Sequence, residues 1–235
     1  MLRTTVTIIF LAGSFAFGHE ADFASLLNAG VGEYLNRHYQ EADKLLHKAL
    51  DAAQKMNDDY AVALAYSTLG DVYQVEERFT EAEQAYSKGL SIVAGHRERS
   101  HAAAIMWRNL ATVFTAETRY KEAEDYFQRS LAIVEQTATP LDERLLMQAL
   151  LGLSQIYIQQ NEEMRAELLL RRAVEIARRN VRQIDIPVSI EVLETYSKVL
   201  KVLSKPLEAD RLQAEAQRIR ASNAFTVEAK PGNKK

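Results

Sequence analysis

The chain has 235 residues, 47% hydrophobic and 26% charged, which is too apolar for a disordered polymer. Its formal net charge of −3 gives no overall bias toward nucleic acid or an anionic membrane. Cysteine is absent, so disulfides, thiolate metal sites and cysteine nucleophiles are excluded, and with only 4 prolines and 9 glycines few positions interrupt a helix.

The first segment, MLRTTVTIIFLAGSFAFG, places Arg3 ahead of an uncharged apolar run from Val6 to Phe17. Ala16 and Gly18, small residues two apart, suit a signal peptidase, so residues 1–18 read as a secretory signal cleaved before His19. The expectation is an exported chain, periplasmic or secreted, with no membrane span after cleavage. The alternative is a chain tethered by an uncleaved signal, although the run is short for a bilayer.

Beyond it, one amphipathic segment recurs. YQEADKLLHKALDAA (39–53), FTEAEQAYSKGLSIV (79–93) and YKEAEDYFQRSLAIV (120–134) align on Ala42, Ala82 and Ala123. Weaker copies carry Ala166 and Ala209, giving spacings of 40, 41, 43 and 43 residues. In the third copy Ala123, Tyr126, Phe127, Ser130, Leu131 and Val134 follow helical spacing. Thr80 and Glu83 read as a capping box opening the second copy.

A second apolar stripe precedes each alanine at constant offset. Tyr66, Trp107 and Leu150 come first, then Leu69, Leu110 and Leu153. The small residues Gly70, Ala111 and Ser154 follow, then Tyr73, Phe114 and Tyr157. The unit is therefore helix, tight polar turn, helix. Small residues let the two backbones approach, and pairs must stack to bury both stripes. Units are expected at 23–58, 60–99, 101–138, 142–182 and 187–221. The first is loose, with Leu26, Ala29 and Gly30 at the matching offsets, and the last places Gln213, Gln217 and Arg220 where an outward-facing terminal helix needs polarity. Residues 223–235 lack helical period and read as a flexible tail.

The order Tyr66, Leu69, Gly70, Tyr73, Ala82, Tyr86, repeated as Trp107, Leu110, Ala111, Phe114, Ala123, Phe127, resembles the tetratricopeptide repeat. The resemblance covers roughly residues 21–221. The period exceeds the family's usual length of about 34 residues, as in the longer variant of kinesin light chains. It implies an all-α, right-handed superhelical solenoid of about five stacked antiparallel helix pairs.

Residues with catalytic or ligating chemistry form no motif. His38 and His47 flank a turn and a helix, His96 and His101 lie in a polar connector, and none has the glutamate spacing of a zinc-protease helix. His19 as a new amino terminus would need another ligand to chelate copper, and the sequence places none. There is no phosphate loop and no nucleophile elbow. Arg171, Arg172, Arg178, Arg179 and Arg182 form a basic stretch, which Glu162, Glu163, Glu167 and Glu175 can neutralise at helical spacing. No aromatics interleave with them, so nucleic acid is not indicated. No cofactor or metal is expected.

The resemblance implies a concave face lined by the first helix of each pair, where relatives hold extended peptides or partner helices. Carried over by offset, this face presents Ser67, Asp71 and Gln74; Arg108, Asn109, Thr112 and Thr115; Gln148, Leu151, Gln155, Ile158 and Gln159; and finally Glu194, Lys198 and Lys201. Asn109 matches an asparagine that peptide-binding relatives place before Leu-Ala. The function this implies is non-catalytic capture of a protein or peptide partner. The alternatives are a structural subunit or tether of an envelope-associated assembly, and an enzyme of unknown class.

Overall fold

A computed structural model describes residues 18–96, 100–136, 140–179 and 185–228, so the segment read as a signal lies outside the described residues apart from Gly18. The described residues form ten α-helices and no strand: α1 (Gly18–Leu35), α2 (Tyr39–Lys55), α3 (Asp59–Val75), α4 (Phe79–Val93), α5 (Ser100–Ala116), α6 (Tyr120–Val134), α7 (Pro140–Gln159), α8 (Glu163–Arg179), α9 (Ile186–Val202) and α10 (Pro206–Glu228). The chain divides into two compact units, Met1–Tyr126 and Phe127–Lys235. In the first, successive helices from α1 to α5 pack on one another, and α3 also touches α1 and α5. In the second, successive helices from α7 to α10 do the same, and α7 touches α9.

The aligned alanines hold equivalent places. Ala42, Ala82, Ala123, Ala166 and Ala209 are each the fourth residue of an even-numbered helix, and each is 0% exposed. A larger side chain there would push its helix off its neighbours. The small residues of the preceding helices serve the same close approach. A Cβ on Gly70 would lie 2.5 Å from the buried Tyr86 ring, and one on Gly30 would lie 2.7 Å from Leu46. In the last pair the Ser197 hydroxyl donates to the Ala209 carbonyl at 2.9 Å.

All five turns within pairs share one backbone device. Arg37, Glu77, Thr118, Asn161 and Ser204, each five residues before a motif alanine, have φ of 66°, 58°, 60°, 57° and 60°. The next amide donates to a carbonyl five residues back: His38 to Glu33, Arg78 to Tyr73, Arg119 to Phe114, Glu162 to Tyr157 and Lys205 to Leu200, at 2.8–2.9 Å. This left-handed closure satisfies carbonyls that the helix end leaves open. None of the five residues is glycine, although the conformation strains any residue with a Cβ.

Polar clasps follow the turns. Arg78 stacks on Tyr73 and Arg119 on Phe114, with the guanidinium carbon 4.3 and 4.1 Å from the ring centre. The same cations reach an acid one residue past the previous motif alanine: Arg78 to Asp43 at 3.7 Å and Arg119 to Glu83 at 3.0 Å. In the second unit Lys205 reaches the equivalent Glu167 at 2.7 Å. Glu162 holds the cation's position in its own pair, and there Arg165, three residues on, stacks on Tyr157 at 3.8 Å.

Two expectations need correction. Thr80 and Glu83 do not form a capping box, because α4 begins at Phe79 with Arg78 as its unassisted cap, which puts Thr80 inside the helix; Glu83 instead binds Arg119. Residues 223–228, read as tail, fall within α10, and residues 229–235 lie outside the described residues.

Candidate functional site

Within the first unit, the face shared by α3 and α5 joins Asp71, Gln74, Arg108 and Asn109 of the predicted residues in one network. The Asp71 carboxylate is its centre. Its Oδ1 accepts from the Tyr86 hydroxyl at 2.7 Å and from Asn109 Nδ2 at 2.9 Å. Asn109 Oδ1 accepts in turn from Arg108 Nη2 at 2.6 Å. The Tyr86 oxygen also lies 3.0 Å from Gln74 Oε1. A hydroxyl has one proton, so with Asp71 taking it, the Gln74 amide can serve that oxygen only by presenting its nitrogen.

Electrostatics match the geometry. Burial pushes the Asp71 carboxyl up from its ordinary 3.8 to about 6, against the opposing pull of the Tyr86 hydrogen bond and the Arg108 charge. Burial likewise lifts the Tyr86 phenol well above 10, with the neighbouring Asp71 charge adding to it. Asn109 is buried at 2% exposure, and both ends of its carboxamide are engaged. Ser67 is buried too. Thr112 and Thr115 are half-buried and donate their hydroxyls to Arg108 and Ala111 carbonyls of their own helix at 3.0 and 2.7 Å. With its proton so used, each hydroxyl oxygen can still accept.

Tyr86 had no place among the predicted residues. The available signal was its position four residues after Ala82, where the other copies carry Leu46, Phe127, Leu170 and Gln213. A phenol at an otherwise mostly apolar core position needs a hydrogen-bond partner, and Asp71 is it.

In the second unit, Gln148 and Ile158 are half-buried on α7 and Gln159 is exposed. Gln155 Nε2 donates to Glu191 Oε1 of α9 at 3.1 Å. Leu151 is buried, so it contributes packing rather than an open apolar contact. On α9, Glu194 accepts from Arg220 of α10 at 2.7 Å, while Lys198 and Lys201 are exposed.

The remaining candidates disperse. His38 bonds Glu33 at 2.7 Å and His47 bonds Asp43 at 3.0 Å, both at the surface. Arg171 pairs within its helix with Glu167, but Arg172 reaches Glu135 in the turn just after α6, and Arg178 reaches Glu215 of α10. Arg182 lies outside the described residues. Among the described residues, no group of three or more His, Asp or Glu side chains is placed to hold a metal ion, and no helix is long and apolar enough to cross a membrane.

Residues 102–179 match the family model described as tetratricopeptide repeat. No curated protein matches the chain with significance. Several solved structures share the fold. BtubC (BKLC) from P. vanneervenii is 19% identical, with 94% of this chain and 96% of that one covered and a TM-score of 0.71. A putative kinesin light chain from Podosopora anserina with nearly identical TPR-like repeats is 18% identical, with 89% and 100% covered and a TM-score of 0.68. The apo form of RapI is 16% identical, with 87% and 72% covered and a TM-score of 0.75. Residues 102–179 thus match the tetratricopeptide repeat, and the helix pairs share the fold of these solved structures.

Proposed function

We propose that this tetratricopeptide-like chain is an exported, non-catalytic interaction module that holds a peptide segment or partner helix on the faces of its odd-numbered helices. The observation that carries this reading is the α3–α5 face. There Gln74, Arg108, Thr112 and Thr115 lie half-buried on adjoining helices around one polar network. Mixed donors and acceptors on a rigid surface suit a peptide main chain, which offers both in alternation. The α7–α9 face of the second unit, with Gln148, Gln155, Ile158 and Gln159, is a separate surface of the same kind.

The test is selection of binders from a displayed library of extended peptides, followed by binding to Thr112→Trp and Gln155→Trp variants. Each variant fills one face with an indole; Thr112→Trp leaves the Asp71 network intact, and Gln155→Trp gives up the bond to Glu191. Affinity is expected to fall at least tenfold for peptides held on the filled face, with helical content unchanged. Selected peptides that bind both variants as tightly as the parent would rule out these faces.

A second reading is a structural subunit or tether of an envelope-associated assembly, contacting its neighbours through outer surfaces. One observation favours it. Met164 and Leu168 on α8 are 65% and 64% exposed, and Leu207 on α10 is 78% exposed, where the earlier repeats carry polar residues such as Gln40, Thr80 and Lys121. Export rests on the composition of residues 1–18, and mass spectrometry of chain recovered from the extracellular or periplasmic fraction tests it. A chain beginning at His19 is expected; one retaining Met1 would refute cleavage.

A further inference from the structure

The solvent face of α8 departs from its copies in a way the fold does not require. Two residues before and two residues after the motif alanine, the even-numbered helices meet water. The first three copies place Gln40 and Lys44, Thr80 and Gln84, and Lys121 and Asp125 there, all exposed. The fourth places Met164 and Leu168 there, and both stay mostly in water. Leu207 repeats the first of these positions on α10. Among the described residues five large apolar side chains are more than half exposed, and all but Leu35 belong to the second unit. Left in water they add little to stability, and an i, i+4 pair forms a continuous ridge along one helix side.

Charge indicates what covers the ridge. Leu168 is framed by arginines, with Arg165 one turn before it and Arg171 and Arg172 one turn after. Each meets one carboxylate, of Glu162, Glu167 and Glu135 in that order, yet each side chain stays about half exposed. A guanidinium carries five N–H donors, so one bound carboxylate leaves donors for a second. We propose that this face of α8 docks an amphipathic helix of a protein partner, whose apolar side covers Met164 and Leu168 and whose acidic borders meet the three arginines. The proposal rests on the second reading above, contact through outer surfaces, and adds the kind of partner and its charge.

Other occupants fit the face less well. An extended segment finds no main-chain partners on α8, because the amides and carbonyls of a helix already bond one another; a helical partner arrives with its own main chain satisfied. A second copy presenting the same face would set arginine against arginine. An anionic bilayer would be repelled by Glu163 and Glu175 on α8 and by the exposed Glu208 and Asp210 on α10. A protein can set its charges one by one against such a mixed rim.

The probe is a stapled, fluorescein-labelled helical peptide with leucines at i, i+4 and i+7 and glutamates on both flanks, read by anisotropy with the full chain. A second peptide carries lysines in place of the glutamates. The glutamate peptide should bind at least tenfold more tightly than the lysine one. Leu168→Ser should weaken it at least tenfold, and Arg172→Gln about threefold. Leu168 is exposed, so Leu168→Ser should keep the thermal midpoint, which separates lost binding from lost fold. Methyl NMR locates the peptide: the Met164 signal should move, while those of the buried Met106 and Met147 should not. No binding of the glutamate peptide, equal binding of both peptides, binding indifferent to Leu168→Ser, or an unmoved Met164 methyl each overturns the proposal. So does Leu168-dependent binding to vesicles of phosphatidylcholine and phosphatidylglycerol in place of the peptide. A Leu168-dependent dimer in sedimentation velocity removes the helical partner and keeps the outer surface as a contact, whereas indifference of every assay to Leu168→Ser removes both. Thr112→Trp and Gln155→Trp should leave this peptide's affinity unchanged; weakened binding there with Leu168→Ser neutral would move the peptide to the odd-numbered helices and overturn the α8 site.

Discussion

Asp71→Asn perturbs the network with almost no change of shape. Asp71 is ionised at neutral pH in a place where burial holds its carboxyl near 6 rather than 3.8. A folded-state value above the unfolded one means the folded chain binds this proton more tightly. Ionised Asp71 therefore destabilises the fold above about pH 6, and the penalty fades as the pH falls toward 3.8. About two pKa units at 1.36 kcal/mol each give a penalty of roughly 3 kcal/mol near pH 7.5, falling to about 1 kcal/mol near pH 4.5. Asparagine removes the penalty but presents an amino group where a second acceptor oxygen stood, a loss of about 1 kcal/mol. The variant is thus expected to be about 2 kcal/mol more stable than the parent near pH 7.5 and about equal near pH 4.5. Urea unfolding followed by far-ultraviolet circular dichroism at both values measures this. A variant less stable by the same amount at both would show that the charged carboxylate stabilises the fold, and would refute the reasoning.

Four further substitutions test the packing, the turns and the buried ion pairs. Gly70→Ala drives a methyl into the Tyr86 ring at 2.5 Å, a ring anchored by its hydroxyl to Asp71, and should destabilise by about 1–3 kcal/mol; Gly32→Ala, whose Cβ meets nothing within 4 Å, should stabilise by a few tenths to about 1 kcal/mol in the same unfolding assay. Thr118→Asn relieves a β-branched residue held at φ 60° and should raise the thermal midpoint, by about 0.5–1 kcal/mol of stability; an unchanged or lower midpoint would show that the turn is not strained. Glu167 is buried, and Lys205 at 2.7 Å and Arg171 at 3.0 Å hold its carboxyl below the ordinary 4.5. Its ionised form stabilises the fold above 4.5, and this is lost as pH falls through the lower folded value. Glu167→Gln should therefore cost about 1–2 kcal/mol near neutral pH and progressively less in acid, which the same unfolding measurements at several pH values would reveal.

The repeat register was readable residue by residue. An alanine that must be small and a stripe of helical period are local requirements, and stacking imposes them on every copy, so Ala42, Ala82, Ala123, Ala166 and Ala209 stand out in the linear chain and occupy equivalent places in the fold. Polar partners were less legible. Thr80 and Glu83 satisfy a local capping pattern, yet the turn geometry starts α4 two residues earlier and Arg119 claims the glutamate. Leu151 and Ser67 fall at outward offsets, yet neighbouring helices bury them. The matching between sequence and packing is strongest for apolar spacing because burial is non-directional and tolerates small rotations. Hydrogen bonds require a particular atom at about 3 Å, so whether Asp71 meets Tyr86 or a ligand depends on how α3, α4 and α5 are oriented, which sequence distance does not encode. The amino-acid order by itself determined the helices, their pairing and the small-residue seams. Only the tertiary structure decided that Asn109 is bound inward by Asp71, because that bond joins residues 38 positions apart on helices whose relative rotation is set by the whole packed unit.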